Sequence, residues 1–520
     1  MILYIIDKTP RRPRRSDKYL IGKREEMKRI MCIILAALLA VTAFVAVGCA
    51  EKPGANTAAQ TTGDPSDSGD TTEPEVTEVP DDLPEMKFDK TFRVIIPNTG
   101  NMAKDIYTED HETSDPLHDA VFRRNGLVEE RFGVKFEIST DEYSVVNNTI
   151  RTAVKAGSDE YDLCFVHMVS GAALAQDNLV LPFEKLPYVD LSKPWWDQSI
   201  KNGFSIRNNL MMVNGDISPM SFSITSCMFF NKTMFDKNDL TYPYELVTSG
   251  KWTLDRLYEL TKDMTKDEDG DGEVSPKSTA DIFGLASWYL DVPYSFYYAA
   301  GGMLVSKDAD DVPYYDPQLE RDTLIYSKIY DVIIKNNAYY ETNVSDFPNV
   351  AKTFADGRAL FLDAKLATAE ELREMDNEFG IIPVPKLKEE DDYKSFVNGA
   401  TSMVCVPATV KPENREYVSI IIEGLASEAY RTITPVLYET YLKRKITRDA
   451  DSSEMIDYIV RNRIFDMAYV NMHDGVGSYV RDLLQKGSTD ISSTLKSYQK
   501  TAKKRIENIV KAFDKSLANS

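Results

Sequence analysis

Apolar residues recur in strand-like and helix-like spacings from residue 91 to residue 166. Residues 91–97 form an apolar run stopped by proline, which predicts a strand. A helical pattern over 120–132 and an alternating pattern over 134–138 follow, and residues 162–166 read as a buried strand after a further helix. This alternation predicts an α/β domain with a largely parallel sheet.

The same alternation continues in the second half of the chain. Residues 227–230 predict a buried strand, and Thr253 is a candidate N-cap for an amphipathic helix. A helical pattern covers 322–336, strands are predicted at 379–385 and 403–407, and helices dominate from residue 413 onward. A chain of 520 residues with two such halves is long enough for two domains.

The N-terminal segment has the pattern of a secretory signal. A charged start at residues 27–29 precedes an apolar run over 30–47 and the pair Gly48-Cys49, and this pattern favours Met27 over Met1 as the start. The alternative is a transmembrane anchor, because 18 apolar residues barely span a bilayer. Residues 50–86 are rich in Thr, Gly, Pro, Asp and Glu and predict a flexible tether.

Charge and cysteine content exclude some functions. The net charge of −21 argues against binding to nucleic acid or to an anionic membrane surface, and no basic patch is evident after Arg29. Cys164, Cys227 and Cys405 each lie in an apolar run without metal-ligand spacing, so we expect buried, reduced thiols.

Five short motifs follow one another between residues 230 and 285: Phe-Asn-Lys, Pro-Tyr-Glu-Leu-Val, Gly-Lys-Trp-Thr, Asp-Gly-Asp-Gly and Phe-Gly-Leu. Their order resembles that of the extracellular solute-binding proteins of bacterial ABC importers, family 1, in particular the carbohydrate-type lipoproteins of clostridia. The resemblance covers residues 91 to 469. It implies a two-lobe, type II periplasmic-binding-protein-like α/β fold with discontinuous lobes joined by a hinge.

The resemblance also implies an anchor and a domain layout. Gly48-Cys49 resembles a lipobox, which would make Cys49 the lipidated (palmitate-bearing) first residue after a leader over residues 1–48. The tether would cover 49–87, the first lobe 88–223 and 361–407, and the second lobe 224–360 and 408–520. The implied protein is a monomer on the extracellular face of the bacterial cell membrane.

By this resemblance the protein captures a carbohydrate, of oligosaccharide size, and delivers it to ABC permease subunits. Two alternatives stay open: a secreted, anchored glycan-active enzyme, and a solute sensor that presents its ligand to a membrane receptor. No common catalytic motif occurs in the sequence, which favours a protein that is not an enzyme. A pair of catalytic carboxylates would nevertheless escape notice among 82 acidic residues.

Ligands of parallel sheets bind beyond the carboxyl ends of the strands, and sugar rings stack on aromatic faces. These rules predict a ligand site between the lobes, although each aromatic residue could equally be core. The predicted ligand-binding residues are His167, Ser170, Trp196, Asp216, Trp288, Tyr294 and Tyr297.

Residues 267–272 have the spacing of the first half of a calcium loop, with aspartates at alternate positions and Gly272 at the sixth. Ser278 stands where such loops usually carry a bidentate glutamate. The predicted structural Ca²⁺ site comprises Asp267, Asp269, Asp271, Glu273 and Asp281. The alternative is a solvated acidic loop.

Overall fold

The computed structural model of this protein describes residues 79–108, 111–113, 115–275, 277–341, 350–439, 443 and 449–519. The strands are β1 (Lys90–Pro97), β2 (Val134–Asp141), β3 (Leu163–His167), β4 (Ser226–Asn231), β5 (Phe283–Trp288), β6 (Val305–Lys307), β7 (Pro313–Tyr315), β8 (Tyr339–Glu341), β9 (Ala359–Lys365), β10 (Phe379–Ile382), β11 (Ser395–Phe396), β12 (Ser402–Cys405) and β13 (Arg463–Ile464).

The α-helices are α1 (Pro116–Phe132), α2 (Tyr143–Lys155), α3 (Met168–Gln176), α4 (Gln198–Phe204), α5 (Lys232–Lys237), α6 (Tyr244–Thr248), α7 (Leu254–Thr261), α8 (Val292–Ala299), α9 (Leu319–Tyr330), α10 (Val350–Ala355), α11 (Thr368–Glu371), α12 (Pro412–Thr432), α13 (Ala450–Arg461), α14 (Met467–Asn471), α15 (Tyr479–Gln485) and α16 (Ile491–Asn519). A π-helical turn over Asp331–Lys335 follows α9.

The first sheet has the strand order β12-β3-β1-β2. Strand β1 runs parallel to β2 and β3, and β12 is antiparallel to β3. The predicted largely parallel sheet is therefore present. Because β1, β2 and β3 are parallel, their carboxyl ends lie at one edge, where Pro97, Asp141 and His167 end the strands.

The second sheet has the order β10-β4-β9-β5-β8. Strands β5, β8 and β9 are parallel to one another, whereas β4 is antiparallel to β9 and β10. Strand β4 is buried throughout its length, as its uninterrupted apolar run predicts. The carboxyl ends of β5 and β9, at Trp288 and Lys365, share one edge.

Local sequence signals set the helix ends. Helix α1 ends at Gly133, whose φ of 60° is left-handed and favours glycine. Helix α7 begins after Thr253, whose hydroxyl accepts the Arg256 backbone N–H. Both ends agree with the sequence prediction.

Three chain segments connect the two sheets and lie next to one another: the residues before β4, the residues around β11 and the residues around β13. Thr225 forms an antiparallel bridge with Val397, and β11 pairs in parallel with β13. The neighbouring Arg463 donates to Ser221 Oγ at 3.0 Å. These crossings join the two halves of the fold.

The crossings correct the predicted lobe boundaries. We predicted that residues 361–407 belong to the first lobe, but β9 and β10 pair within the second sheet and only β12 pairs in the first. The boundary predicted between residues 360 and 361 therefore falls inside β9, a strand of the second sheet, and not at a crossing between the sheets. Helix α12 packs on α1, and Tyr417 donates to the Thr91 carbonyl at 3.0 Å, so this part of 408–520 belongs with the first sheet.

Residues Val79–Ser520 form one compact unit. Cys164, Cys227 and Cys405 are buried free thiols within it, as predicted. Among the described residues, no helix has an apolar stretch long enough to span a membrane. The predicted signal segment, the lipidation site Cys49 and most of the predicted tether lie outside the described residues.

Candidate functional site

At the edge of the first sheet, β3 ends in His167, whose side chain caps helix α3 by accepting the Ser170 backbone N–H at 3.4 Å. The His167 ring lies 5.7 Å from the ring of Tyr143, which begins α2 and is 46% exposed. Helices that start directly after strand ends thus place an imidazole and an aromatic face at this edge.

At the edge of the second sheet, a polar cluster surrounds Trp288 at the end of β5. Lys365 Nζ, at the end of β9, lies 5.5 Å from the centre of the Trp288 ring and 3.3 Å from Asp291 Oδ2. Asn398 Nδ2 donates to Asp291 Oδ1 at 2.8 Å. The ammonium and carboxylate charges in this cluster therefore compensate each other.

A short loop links the two edges. Asn398 contacts the second sheet through Asp291, and three residues later the Thr401 carbonyl accepts the Met168 N–H at 3.0 Å in the first sheet. Because three peptide steps span at most about 11 Å, the two edges lie close together here. A Cβ on Gly399 would lie 2.6 Å from Val169 Cγ2 and 2.7 Å from Tyr469 Oη, so any other residue here would force these side chains to move.

The segment after α14 brings His473 next to the loop that links the two sheet edges. Its ring centre lies 5.1 Å from that of Tyr469 and 5.6 Å from that of Tyr294. Tyr469 Oη accepts the Gly399 N–H at 3.2 Å, which fixes this segment to the loop between the sheets. We call the resulting group the inter-sheet site: Tyr143, His167, Ser170, Trp288, Asp291, Lys365, Asn398 and His473.

The pKa of each imidazole of the inter-sheet site is lowered, which favours the neutral form. Burial, together with the repulsion that a protonated His473 would exert, lowers the pKa of His167 to about 4. Burial and the nearby Arg481 guanidinium lower the pKa of His473. A neutral imidazole offers one donor and one acceptor, so both rings suit hydroxyl partners.

Two buried polar atoms of the inter-sheet site have no hydrogen-bond partner in the described part of the chain, Ser170 Oγ and His473 Nδ1. Buried polar groups in native proteins are nearly always satisfied, and an unsatisfied one costs about 1–3 kcal/mol. These two atoms are therefore polar positions of the inter-sheet site that the described chain leaves unsatisfied.

The structure places two predicted ligand residues elsewhere. Trp196 is 2% exposed and its indole donates to Glu423 Oε2 at 3.0 Å. Asp216 is 6% exposed, and burial raises its pKa to about 7. Both line a separate cavity of about 300 Å³ that also contacts Arg463.

Two predicted tyrosines are buried. Tyr294 is 2% exposed and shares a hydrogen bond of 2.9 Å with Ser478, although its ring adjoins His473. Tyr297 donates to Asp322 Oδ1 at 2.7 Å, and its ring packs against Tyr479. The structure thus places His167 and Ser170 at the edge of the first sheet and Trp288 at the edge of the second, with the Tyr294 ring against His473. Trp196, Asp216 and Tyr297 have their partners elsewhere.

The residues of the inter-sheet site that sequence reasoning missed are Tyr143, Asp291, Lys365, Asn398 and His473. The strand-end rule could have found Asp291 and Lys365, which follow or end the strands β5 and β9. An Asn-Gly turn marks Asn398. His473 carries no local signal, because only the packing of α14 brings it to the site.

The acidic loop after α7 brings together part of the predicted calcium set. Single carboxylate oxygens of Asp267, Asp269 and Asp281 lie within 4.8 Å of one another. Oxygens on opposite sides of a calcium ion lie about 5 Å apart, so this spacing fits that ion. Asp271 instead accepts the Glu273 N–H at 2.8 Å, and neither residue joins the group.

The inter-sheet site offers aromatic faces, two imidazoles, an amide and a compensated ion pair, which suits reversible binding of a polar molecule. Two sheets whose strand ends meet at one shared site define a two-lobe binding protein. The family model described as bacterial extracellular solute-binding protein matches residues 128–419, which is more than half of the chain. The chain belongs to this family. A search among curated proteins returns no match.

Solved structures share the fold. A cyclo/maltodextrin-binding protein complexed with maltotetraose is 13% identical, with a TM-score of 0.52, over 83% of this chain and 98% of that chain. UspC of M. tuberculosis is 13% identical, with a TM-score of 0.51, over 80% of this chain and 100% of that chain. An ABC substrate-binding protein from Listeria monocytogenes in complex with cycloalternan is 11% identical, with a TM-score of 0.50, over 82% of this chain and 99% of that chain.

These identities establish the fold alone, which is the two-lobe α/β fold that the sequence predicts.

Proposed function

We propose that this protein is the lipid-anchored, extracellular substrate-binding component of an ABC importer. It captures a carbohydrate of oligosaccharide size at the inter-sheet site and delivers it to permease subunits. The observation that carries the proposal is the meeting of strand-end loops from both sheets, with an indole face beside hydrogen-bonding groups.

The chemistry of the inter-sheet site supports a sugar ligand. Sugar rings present apolar C–H faces and hydroxyls, so they need an aromatic surface next to donors and acceptors. Trp288 and Tyr143 offer aromatic faces, and Ser170 Oγ and His473 Nδ1 offer polar atoms without described partners. Because Lys365 is paired with Asp291, the ligand does not have to neutralise that charge.

Two of the proteins with a similar fold are complexed with maltotetraose and with cycloalternan, which are both oligosaccharides. This likeness supports the carbohydrate class and leaves the particular sugar open. The anchor rests on the sequence pattern ending at Cys49, and delivery to a permease rests on family membership.

A thermal-shift screen of the purified protein against monosaccharides, oligosaccharides, amino acids and peptides tests the ligand class. An oligosaccharide at 100 times its dissociation constant should add about 2.7 kcal/mol to the free energy of unfolding. Stabilisation by amino acids or peptides alone would contradict the proposal. Analysis of the same glycans after incubation tests the enzyme alternative, because a pure binding protein leaves them unchanged.

We also propose that the acidic loop binds a structural Ca²⁺ ion through Asp267, Asp269 and Asp281. The support is the close approach of their three carboxylate oxygens, which repel one another without a cation. Asp281 is buried and fixed by the Glu268 and Ser275 backbone N–H groups, and it takes the place of the glutamate that usually closes such loops.

A further inference from the structure

The last helix of the chain, α16, combines a fixed apolar face with a free polar face. Its buried residues include Leu495, Ile506 and Phe513, and the Leu495 carbonyl accepts the Tyr315 hydroxyl at 3.2 Å. The 29-residue helix packs on β7 and α9 at one end and on α3 at the other. It is therefore a firm platform about 44 Å long.

The polar face of α16 is basic in an acidic protein. The helix carries seven Lys or Arg and two Asp or Glu residues, whereas the whole chain carries 61 and 82. Six of its lysines are exposed, and we call them the lysine stripe: Lys496, Lys500, Lys503, Lys504, Lys511 and Lys515. At 100° per residue they occupy an arc about 120° wide and about 29 Å long.

Within the described residues, none of the stripe ammonium groups forms an ion pair. The charged residues at the sides of the stripe are paired with other elements: Arg505 lies 2.6 Å from Asp474, and Asp514 pairs with Arg207. Glu507 alone is acidic within the stripe. The lysine stripe is therefore a positive surface in which a single carboxylate, that of Glu507, faces six ammonium groups.

We propose that the lysine stripe docks on the anionic headgroups of phospholipids in the membrane. The net charge of −21 argues against contact between the protein as a whole and an anionic membrane. Charges are screened beyond a Debye length of about 8–10 Å, however, so a surface responds to the local stripe and not to the distant acidic residues. Because the apolar face of α16 is already buried, the contact is electrostatic and the helix does not insert.

The inference rests on the proposed function, because the lipid anchor supplies the proximity. Residues 50–78 separate Cys49 from residue 79, and if they form the tether that their composition predicts, a chain of that length reaches about 30 Å on average. This is close to the length of the lysine stripe. A tethered unit samples the membrane surface at high effective concentration, so weak charge contacts suffice to orient it.

Lysine acetylation on vesicles tests the proposal. The full-length chain is reconstituted into phosphatidylcholine vesicles and into vesicles that also contain phosphatidylglycerol, and acetylation is measured for each lysine by mass spectrometry. Stripe lysines should react at least about threefold more slowly on the anionic vesicles, and the difference should vanish near 1 M salt, where the Debye length is about 3 Å. The exposed control lysines Lys237, Lys251 and Lys277 should not change.

Charge-removal variants sharpen the test. The triple variant Lys500→Gln/Lys503→Gln/Lys504→Gln should lose the protection of the remaining stripe lysines, and Lys237→Gln/Lys251→Gln/Lys277→Gln should keep it. Equal acetylation of the stripe lysines on vesicles with and without phosphatidylglycerol overturns the proposal. Protection that requires added permease subunits overturns it in favour of a protein partner.

The mass of the N-terminal peptide reports the anchor separately. The lysine comparison uses only protein that floats with both kinds of vesicle, so it does not depend on whether Cys49 carries a lipid. An unmodified Cys49 contradicts the proposed anchor without deciding the lysine result.

Discussion

At the residue scale, the buried carboxyl group of Asp363 holds the residue that precedes Trp288 in the inter-sheet site. It is 1% exposed on β9 and accepts hydrogen bonds from Ser295 Oγ at 2.6 Å and from Ser287 Oγ at 2.9 Å. Ser287 directly precedes Trp288, so this carboxyl group helps to fix the indole. Burial, reinforced by the charge of Asp291, raises the pKa of Asp363 to about 7.

The raised pKa of Asp363 predicts a pH dependence of stability. The folded state holds the proton more tightly than the unfolded state, so this contribution is full below pH 3.8 and is lost as the pH rises to 7. The loss is at most about 1.4 kcal/mol per pH unit. Asp363→Asn keeps both hydroxyl contacts and removes the titration.

Urea denaturation at pH 5 and pH 8 measures this difference. Wild type should lose more free energy of unfolding than Asp363→Asn between the two values. The buried Asp105, Asp216 and Glu423 are common to both proteins, so their titrations cancel in the comparison. An identical pH dependence in the two proteins would refute this role of Asp363.

At the element scale, Arg463 secures the crossings between the sheets. It pairs with Asp197 at 2.6 Å, donates to Ser221 Oγ and lies over the Phe222 ring at 4.0 Å. Asp197 also caps α4 by accepting the Ser199 N–H at 3.0 Å. One buried ion pair thus joins β13, the first crossing and the start of α4.

Removal of Arg463 should destabilise the fold strongly. Arg463→Met leaves the Asp197 carboxylate buried without its partner, which costs about 3–5 kcal/mol. The double variant Arg463→Met/Asp197→Asn should lose less, because asparagine retains the cap without the charge. The control Arg461→Met changes an arginine whose side chain is 76% exposed and should stay within about 0.5 kcal/mol of wild type. Urea denaturation measures the free energy of unfolding of each variant. Equal losses in Arg463→Met and in Arg463→Met/Asp197→Asn would contradict the argument.

The acidic loop gives a second prediction at this scale. If Ca²⁺ binds there, calcium at 100 times its dissociation constant should add about 2.7 kcal/mol to the free energy of unfolding. Asp269→Ala should abolish that gain in a melting experiment. Asp310→Ala, which removes an exposed aspartate from another loop, should retain it. A calcium-dependent shift that survives Asp269→Ala would reject the site.

Local signals predicted most elements. The apolar run of β4, the threonine cap of α7 and the glycine end of α1 are encoded within a few residues, and each lies where it was predicted. The sheet to which a strand belongs depends on pairing across the sequence. For that reason β9 and β10 were predicted in the wrong lobe.

The site was predicted only in part for the same reason. His167 and Ser170 were predicted because they follow a buried strand, and the structure places both at the edge of the first sheet. Trp288 was predicted as an aromatic face, and it ends β5 in the second sheet. Trp196 and Tyr297 satisfied an aromatic criterion that cannot separate ligand contact from core packing. Their partners, Glu423 and Asp322, come from distant helices. His473 reaches the site only through long-range packing.

At the scale of the whole molecule, the predicted anchor can be tested by a single change. Cys49→Ala should release the protein from the membrane fraction or leave it unprocessed, because the acylated cysteine would be both the cleavage and the attachment site. Cell fractionation and the mass of the N-terminus provide the measurement. Unaltered membrane association and processing would contradict the anchor.

The most direct test of the account is calorimetric titration of the purified protein with the oligosaccharide that the thermal screen identifies. Wild type should bind it, and Trp288→Ala should bind at least about tenfold more weakly, a loss of about 1.4 kcal/mol. Tyr314→Ala, which removes a 46% exposed tyrosine outside the inter-sheet site, should bind as wild type does. Melting of the ligand-free proteins checks that the variants fold. Equal affinities for wild type and a folded Trp288→Ala would contradict carbohydrate binding at the inter-sheet site.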